Sequence, residues 1–403
     1  MNILVLNSGS SSIKFQLINM KTKQRRCKGI IGRIGHEDAI FNFQPEGNEK
    51  ISQTLPVSDH QQGIRLIEEI LIDPEKGILN SIEEIDAVGH RIVLGGEKIS
   101  SSVVIDERIA GLIDDYARLA PLHNPPALMG YRAAAEQFPD VPHVGVFDTG
   151  FHATLPEEAY VFPIPYEYYE QYRIRRYGFH GTSHQFVAIR AAELMGKTLN
   201  ETNVITCHLG NGASLTAVRN GKSVDTTLGF GTSGGVPMGT RAGDLDSEVI
   251  IYLMDNAGMS VDDIRNMVYR ESGLKGISGI SNDLRDIEKA ADNGNRRAAL
   301  ALKIYSRQIR KYIAAMAACL DGRLDAVVFT AGVGENEWRT RERICGGLEI
   351  IGAHIDPDKN RNMREESVIS TDDSPVQIMI IPTNEELMIA METEKVIHGG
   401  GNE

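Results

Sequence analysis

Short, continuous apolar runs alternate along the chain with longer stretches whose apolar positions recur every three or four residues. ILVLN (3–7), IKFQLI (13–18), the strand at 203–208, VPHVGVFDT (141–149) and LDAVVFTAG (324–332) have the length and composition of strands. Helical spacing marks GIRLIEEILI (63–72), ERIAGLIDDYARLA (107–120), LMGYRAAAEQF (128–138) and HQFVAIRAAELMG (184–196), the last closed by Gly196. SEVIIYLMDNAG and VDDIRNMVYRESG predict two more helical regions. A long helix is predicted over roughly 294–320, with Leu302, Tyr305, Ile309, Tyr312, Met316 and Leu320 as its apolar stripe. VQIMIIPTNEELMIAMETEKVI reads as a strand and then a helix, and HGGGNE as a frayed tail. Strands alternating with helices predict an α/β protein.

One pattern occurs twice. ILVLN, SGSSS and IKFQLI form a strand, a Gly/Ser turn and a returning strand, which predicts a hairpin. NVITCHLGNGASLTAVRNGKSVDTT repeats the design, with the turn at LGNGAS, and suggests a duplication of two similar domains. Turns of small residues present backbone N–H groups to an anion. Asn7 could hold a metal-bound water there, and Lys14 could reach a phosphate as a point charge. A solvated hairpin turn fits the same residues. TAGVGEN (330–336) predicts a small-residue turn at a strand end, where a base or ribose could pack. A tight connection fits it equally. Asp283 and Arg285 in SNDLRD could lie nearby, or simply begin a capped helix.

Three motifs mislead. GFGTSG (229–234) matches the dinucleotide fingerprint G-x-G-x-x-G, yet Pro237 follows closely and no strand–helix–strand pattern surrounds it. GKS (221–223) resembles the end of a Walker A loop, but Thr216 stands where its first glycine belongs, and RNGK reads as a hairpin turn. His180 and His184 lack an acidic or cysteine partner at zinc spacing, and Gly181 argues against one helix spanning both.

Composition narrows the function classes. The 403 residues carry 42 Lys and Arg against 55 Asp and Glu, a net charge of −13, so bulk nucleic acid and anionic membrane are poor partners. An anionic ligand would need a focused local site. The four cysteines are widely spaced with no C-x-x-C, which predicts free thiols in a reducing compartment. The start, MNILVLNSGSSSIKF, reads as a strand without a basic leader, and no apolar run reaches 18 residues; a cytoplasmic location is expected.

The charged candidates point to one chemistry. His90 and Arg91 follow a predicted strand, Arg241 lies in MGTRAGD, and His123 lies in LAPLHNP. Asp148 and His152 lie in VFDTGFH, His180 in YGFHGTSH and Glu385 in PTNEE, where it could also only complement a helix start. Arginine forks match carboxylate and phosphoryl oxygens. Together with two anion-presenting turns they suggest phosphoryl transfer, which needs charge neutralisation and alignment rather than a strong protein nucleophile.

Taken in order, NSGSSSIKFQL, HNP, FDTGFH, YGFHGTSH, CHLGNGAS, NGKSVDT, MGTRAGD, FTAGVGEN and PTNEE strongly resemble the acetate kinase family over almost the whole chain. The resemblance implies the sugar kinase/actin/Hsp70 fold, a duplicated, ribonuclease H-like α/β pair of domains around a cleft, in a homodimer. The domains expected are 1–150, with the helix of about 385–403 packing back on it, and a nucleotide-binding 151–384. The implied reaction is reversible, Mg²⁺-dependent phosphoryl transfer between ATP and acetate, giving acetyl phosphate and ADP, with Mn²⁺ as a substitute ion. By resemblance, Asn7 and Glu385 are magnesium-linked, and Arg91 and Arg241 hold the carboxylate and the transferring phosphoryl. His180 stabilises the transition state, His123 is a second phosphoryl-side histidine, and Asp148 positions groups at the centre. His208, Leu209, Gly210, Asn211 and Gly212, then Asp283, Leu284 and Arg285, then Ala331, Gly332, Val333, Gly334 and Glu335 correspond to nucleotide segments. Val93, Leu122 and Phe179 correspond to the pocket for the acetate methyl, and Thr232 stands where a proline commonly closes it. Acetate, already an anion, would attack in line without a general base, and domain closure would exclude water.

Two departures from the family pattern stand out. Leu94 replaces a usual histidine, and GFGTSGGVPMGTR replaces a loop that usually reads GFTPLEGLxMGTR, which predicts a smaller, more polar and looser loop with a shifted KM or acceptor range. A propionate- or butyrate-preferring kinase is the nearest alternative. A non-catalytic nucleotide-binding protein of the actin or Hsp70 type is the more distant one, and it has little reason to keep Arg91, His123, Asp148, His180 and Arg241.

Overall fold

The computed structural model describes residues 1–399. The chain forms two compact units, one built from Met1–Ala153 and the segment from Asn384 onward, the other from Thr154–Thr383. The first unit contains strands β1 (Asn2–Gly9), β2 (Ser12–Asn19), β3 (Gln24–Gly32), β4 (His36–Pro45), β5 (Ile51–Val57), β6 (Ala87–Ile92), β7 (Val103–Val104) and β8 (His143–Phe147). They make one mixed sheet in the order β5-β4-β3-β2-β1-β6-β8-β7, antiparallel from β1 to β5 and parallel across β1, β6 and β8.

Strand β1 is apolar on both faces because both are covered. Leu4 and Leu6 join a core with Ile13, Phe15, Ile64 and Ala134, the last two from helices His60–Leu71 and Asn124–Gln137. Ile3 and Val5 point the other way, into a core with Val144, Val146, Ile389 and Ala390, the last two from helix Glu385–His398.

The second unit contains β9 (Asn203–Leu209), β10 (Ala213–Arg219), β11 (Lys222–Thr226), β12 (Ala326–Thr330), β13 (Ser367–Val368) and β14 (Gln377–Ile380), in the order β11-β10-β9-β12-β14-β13. Its run β11-β10-β9-β12-β14 reproduces β3-β2-β1-β6-β8 of the first unit strand for strand, including the parallel pairs. The repeated hairpin of the sequence is therefore the seed of a repeated sheet. The RNGK turn joins β10 to β11, with Asn220 at φ 50° and Gly221 at φ 78°, the left-handed pair that a tight hairpin needs.

Three local expectations are corrected. The SGSSS turn shrinks to Ser10 and Ser11, because β1 runs on to Gly9 and β2 starts at Ser12, so Asn7 pairs directly with Lys14. TAGVGEN is no turn: β12 passes into a helix, Ala331–Asn336. Ile313, not the half-buried Tyr312, continues the buried stripe of helix Arg296–Ala317. Helix Gly181–Leu194 starts beyond His180, so no helix spans both His180 and His184. Residues 227–246 contain no helix, so GFGTSG has no helix N-terminus to offer a pyrophosphate. Of the HGGGNE tail, residues 400–403 lie outside the described residues. No helix among the described residues is long and apolar enough to cross a membrane.

His90 is no surface residue. It is buried, its Nε2 lies 2.9 Å from His143 Nδ1, and His143 Nε2 lies 3.0 Å from the Phe138 carbonyl. Burial lowers the pKa of both rings, and each is held neutral. In the unfolded chain they titrate near pH ~6.5. The unfolded state thus binds more protons below that pH, and stability is lost as pH falls, by up to about 1.4 kcal/mol per pH unit for each ring. Denaturant midpoints at pH 7.5 and 5.5 are expected to fall further apart in the native chain than in a His90→Leu/His143→Met variant; equal separations would contradict this.

Candidate active site

In the first unit, the decisive arrangement is a two-pronged ion pair. Arg91, near the end of β6, places Nε 2.9 Å and a terminal nitrogen 2.8 Å from the two oxygens of Asp148, just beyond β8. Parallel pairing of β6 and β8 brings the two strand ends side by side. Asp148 is 2% exposed, while the Arg91 side chain keeps 22% of its surface open. The Asp148 carboxylate, with help from Glu385 and Glu386, raises the Arg91 pKa, so the guanidinium is always charged. Part of the cation thus faces outward while its back is fixed.

The loop after β6 is fastened by Asn124, which the sequence reading passed over. Its buried side chain accepts from the Leu94 N–H at 3.2 Å and donates to the Leu94 carbonyl at 2.9 Å and the Ile113 carbonyl at 3.2 Å. This ties Val93 and Leu94 to the segment carrying Leu122 and His123, the residue that precedes helix Asn124–Gln137. Val93 is half-buried, Leu122 is exposed at 73%, and Leu94 is buried where the family pattern has histidine. Asn7 and Lys14 sit opposite each other on β1 and β2. Ser8, next to Asn7, has a buried hydroxyl without a partner. Glu385 opens its helix behind Asn384, whose side chain caps the Leu387 N–H at 3.0 Å.

In the second unit, His180 adopts φ 57° immediately before helix Gly181–Leu194. Its ring stacks on that of His208 at 4.2 Å, and its Nδ1 lies 2.8 Å from Ser214 Oγ. His208, next to last in β9, has its own Nδ1 2.8 Å from Ser183 Oγ. A Cβ on Gly212 would lie 3.5 Å from both His180 Nε2 and an Arg241 terminal nitrogen. So His180, Arg241 and the Gly212 backbone converge on one spot. Phe179, beside His180, is buried.

Arg241 is delivered by a braced loop. The Met238 N–H donates to the Arg241 carbonyl at 3.0 Å, and the Leu274 N–H donates to the Met238 carbonyl at 2.9 Å. Asp244 accepts from the Gly235 N–H at 2.6 Å with one oxygen and from Tyr312 with the other. Gly235 is required there: φ is +80°, and a Cβ would lie 2.6 Å from that of Thr227. The divergent GTSGG segment is joined to the same arginine, because an Arg241 terminal nitrogen donates to the Thr232 carbonyl at 3.1 Å.

Asn211 joins its turn to the loop that carries Arg241 and to the residue just before Asp283. Its carbonyl accepts from Gly239 at 3.3 Å, and its side chain accepts from Asn282 at 3.1 Å. A Cβ on Gly210 would lie 3.8 Å from that of Ala331, at the head of helix Ala331–Asn336. Leu209 is buried at the end of β9. Asp283 caps helix Leu284–Asp292 and chelates Arg285 at 3.0 and 2.6 Å, a pairing that holds its pKa at about 2. Glu335 accepts from the Thr383 N–H at 3.1 Å, and buried Arg341 donates to the Gly334 and Glu335 carbonyls at 2.8 and 2.9 Å. Gly332 and Val333 lie on the first turn of that helix.

The sequence profile of the acetokinase family matches residues 2–391. The chain belongs to the acetate kinase family. It is thereby a member of the sugar kinase/actin/Hsp70 superfamily, and its repeated sheets are that fold. It is 51% identical over 400 residues to the acetate kinase of Caldanaerobacter subterraneus subsp. tengcongensis, covering 99% of this chain and 100% of that one. The crystal structure of Porphyromonas gingivalis acetate kinase superposes with a TM-score of 0.95 at 42% identity, covering 98% of this chain and 99% of that one. A propionate kinase from Francisella tularensis subsp. tularensis SCHU S4 follows at 0.89 and 41%, covering 97% and 98%.

Proposed function

We propose that this enzyme transfers the terminal phosphoryl group of ATP reversibly to the carboxylate of acetate, giving acetyl phosphate and ADP. The observation that carries the reading is the chelated, half-open Arg91 on Asp148, together with membership of the acetate kinase family. A nucleotide switch has no use for a fixed guanidinium fork that matches a carboxylate. Arg91 binds the carboxylate, and Val93, Leu122 and Phe179 shape the space for its methyl group. Arg241 and His180 stabilise charge on the transferred oxygens, with His123 as a second phosphoryl-side group. The turn from His208 to Gly212 and the segments 283–285 and 331–335 serve the nucleotide, and Lys14 supplies charge near its phosphates.

The donor set suits magnesium. Asp148 spends both oxygens on Arg91, and no cluster of three His, Cys, Asp or Glu ligands occurs among the described residues. Magnesium keeps much of its water and leans on phosphate oxygens, a demand that oxygen donors such as Asn7 and Glu385 meet. When bound with ATP, the ion neutralises phosphate charge; Mn²⁺ suits the same oxygens.

A homodimer is part of the proposal. Helix Ser247–Ala257 has no buried residue, yet Val249, Ile251, Tyr252 and Met254 are exposed on it. So much apolar surface on one helix calls for a cover, and a second copy supplies it. The four cysteines are free thiols, three of them buried, in keeping with the cytoplasm.

Acceptor range is the open variable, and the Thr232 link gives it a physical handle: loop and catalytic arginine share a hydrogen bond. ADP release with acetate, propionate and butyrate tests the whole reading in the native chain, with acetate expected to be used. Changing residues 231–234 to TPLE is expected to alter KM for at least one acid by several-fold while kcat for acetate stays within about threefold. Unchanged KM values for all three acids would remove the loop from specificity.

A further inference from the structure

His180 stands at the head of a buried hydrogen-bond chain. Its Nδ1 lies 2.8 Å from Ser214 Oγ, and the same hydroxyl lies 2.7 Å from His184 Nε2. His184 Nδ1 lies 2.7 Å from Thr206 Oγ1, which lies 3.4 Å from the Thr216 carbonyl. Ser214, His184, Thr206 and Thr216 are all 0% exposed. The chain joins helix Gly181–Leu194 to β10 and β9, so the sheet itself fixes the ring.

Each hydroxyl carries one proton and can donate it once. The direction is set at the buried end. The Thr216 carbonyl only accepts, so Thr206 donates to it and accepts from His184 Nδ1–H. His184 Nε2 is then a lone pair, which takes the Ser214 proton. Ser214 is left to accept from His180 Nδ1–H. A neutral His180 in this arrangement has no proton on Nε2, the nitrogen that faces Gly212 beside Arg241.

We infer that Ser214 and His184 are positioning residues that hold His180 in its Nδ1–H form, so that His180 donates from Nε2 only as the imidazolium. The inference rests on the proposed role of His180 at the phosphoryl group. The ring faces Arg241 and the stacked His208, with His184 behind Ser214. The Arg241 charge opposes a second proton on His180, and an anionic phosphoryl favours it. Turnover therefore falls on the alkaline side as that proton is lost. Without the Ser214 hydroxyl, the ring is free to carry its proton on Nε2 and donate while neutral.

The test is the pH profile of kcat for acetyl phosphate formation in the native chain and in Ser214→Ala. Native activity is measured first: its absence would sink the kinase reading itself, separately from this inference. The variant is expected to lose about tenfold in kcat near neutrality, to keep KM for ATP and acetate within about twofold, and to lose the native alkaline decline. A folded variant with native kcat and an unaltered profile overturns the inference. Should the variant fail to fold, ¹⁵N-histidine NMR of the native protein decides, with His180 assigned through His180→Gln. A neutral ring protonated at Nδ1 supports the inference, and one protonated at Nε2 overturns it.

Discussion

Replacing Arg241 with alanine is expected to lower kcat for acetyl phosphate formation by about 10³-fold while leaving the protein folded. The side chain makes a hydrogen bond to the Thr232 carbonyl at 3.1 Å and a long contact to the Met238 sulfur at 3.8 Å. The loop that carries it is held by other bonds: Met238 N–H to the Arg241 carbonyl, Leu274 N–H to the Met238 carbonyl, and the Asp244 clamp on Gly235. Removing the guanidinium therefore costs roughly 1 kcal/mol of stability, the scale of one hydrogen bond. What is lost is a positive charge beside His180 and the Gly212 backbone, the proposed seat of the phosphoryl oxygens. Desolvation lowers the Arg241 pKa, because the cation is held in a partly dry place. Initial rates together with a thermal melt check both halves. A variant within tenfold of native kcat would mean that Arg241 does not face the phosphoryl group.

Asp148→Asn is expected to cut kcat/KM for acetate by about 10²-fold, chiefly through KM. Arg91 presents two donors to two carboxylate oxygens. An asparagine offers one acceptor, and its amide group turns donors toward a donor. The fork loses its two-point hold and swings, so the carboxylate no longer meets a fixed partner. Stability falls by about 1–3 kcal/mol, since a buried charged hydrogen bond is lost while Arg91 retains some access to solvent. Steady-state kinetics across acetate concentrations check the prediction. An unchanged KM would separate Asp148 from acetate binding.

The framework was legible where the sequence repeats itself. ILVLN opens with four consecutive apolar residues, and NVITCHL is buried at six of its seven positions, because each strand is central and covered on both faces, and the same hairpin design announced the same sheet twice. GFGTSG could be dismissed because its required helix conflicts with Pro237 and the crowded glycines. Less legible was anything that depends on a distant partner. AGVGEN has the composition of a turn, and two glycines in six residues disfavour a helix; Arg341 bonds to the Gly334 and Glu335 carbonyls and the Glu335–Thr383 bond bracket it instead. Asn124, Ser214 and Asp244 all lie inside motifs quoted from the sequence. There they look like turn residues, because their partners, Leu94, His184 and Tyr312, are far away along the chain. Small polar residues inside those motifs were the signal: each braces an element distant in sequence.

Acyl phosphate formation by this chain is read directly by ³¹P NMR of the purified native protein with ATP, magnesium and acetate. Acetyl phosphate and ADP are expected in equal amounts, appearing only when acetate is present, with ATP re-formed from added acetyl phosphate and ADP. Phosphate release from ATP that is indifferent to acetate, or no turnover by folded protein, would contradict the proposed reaction.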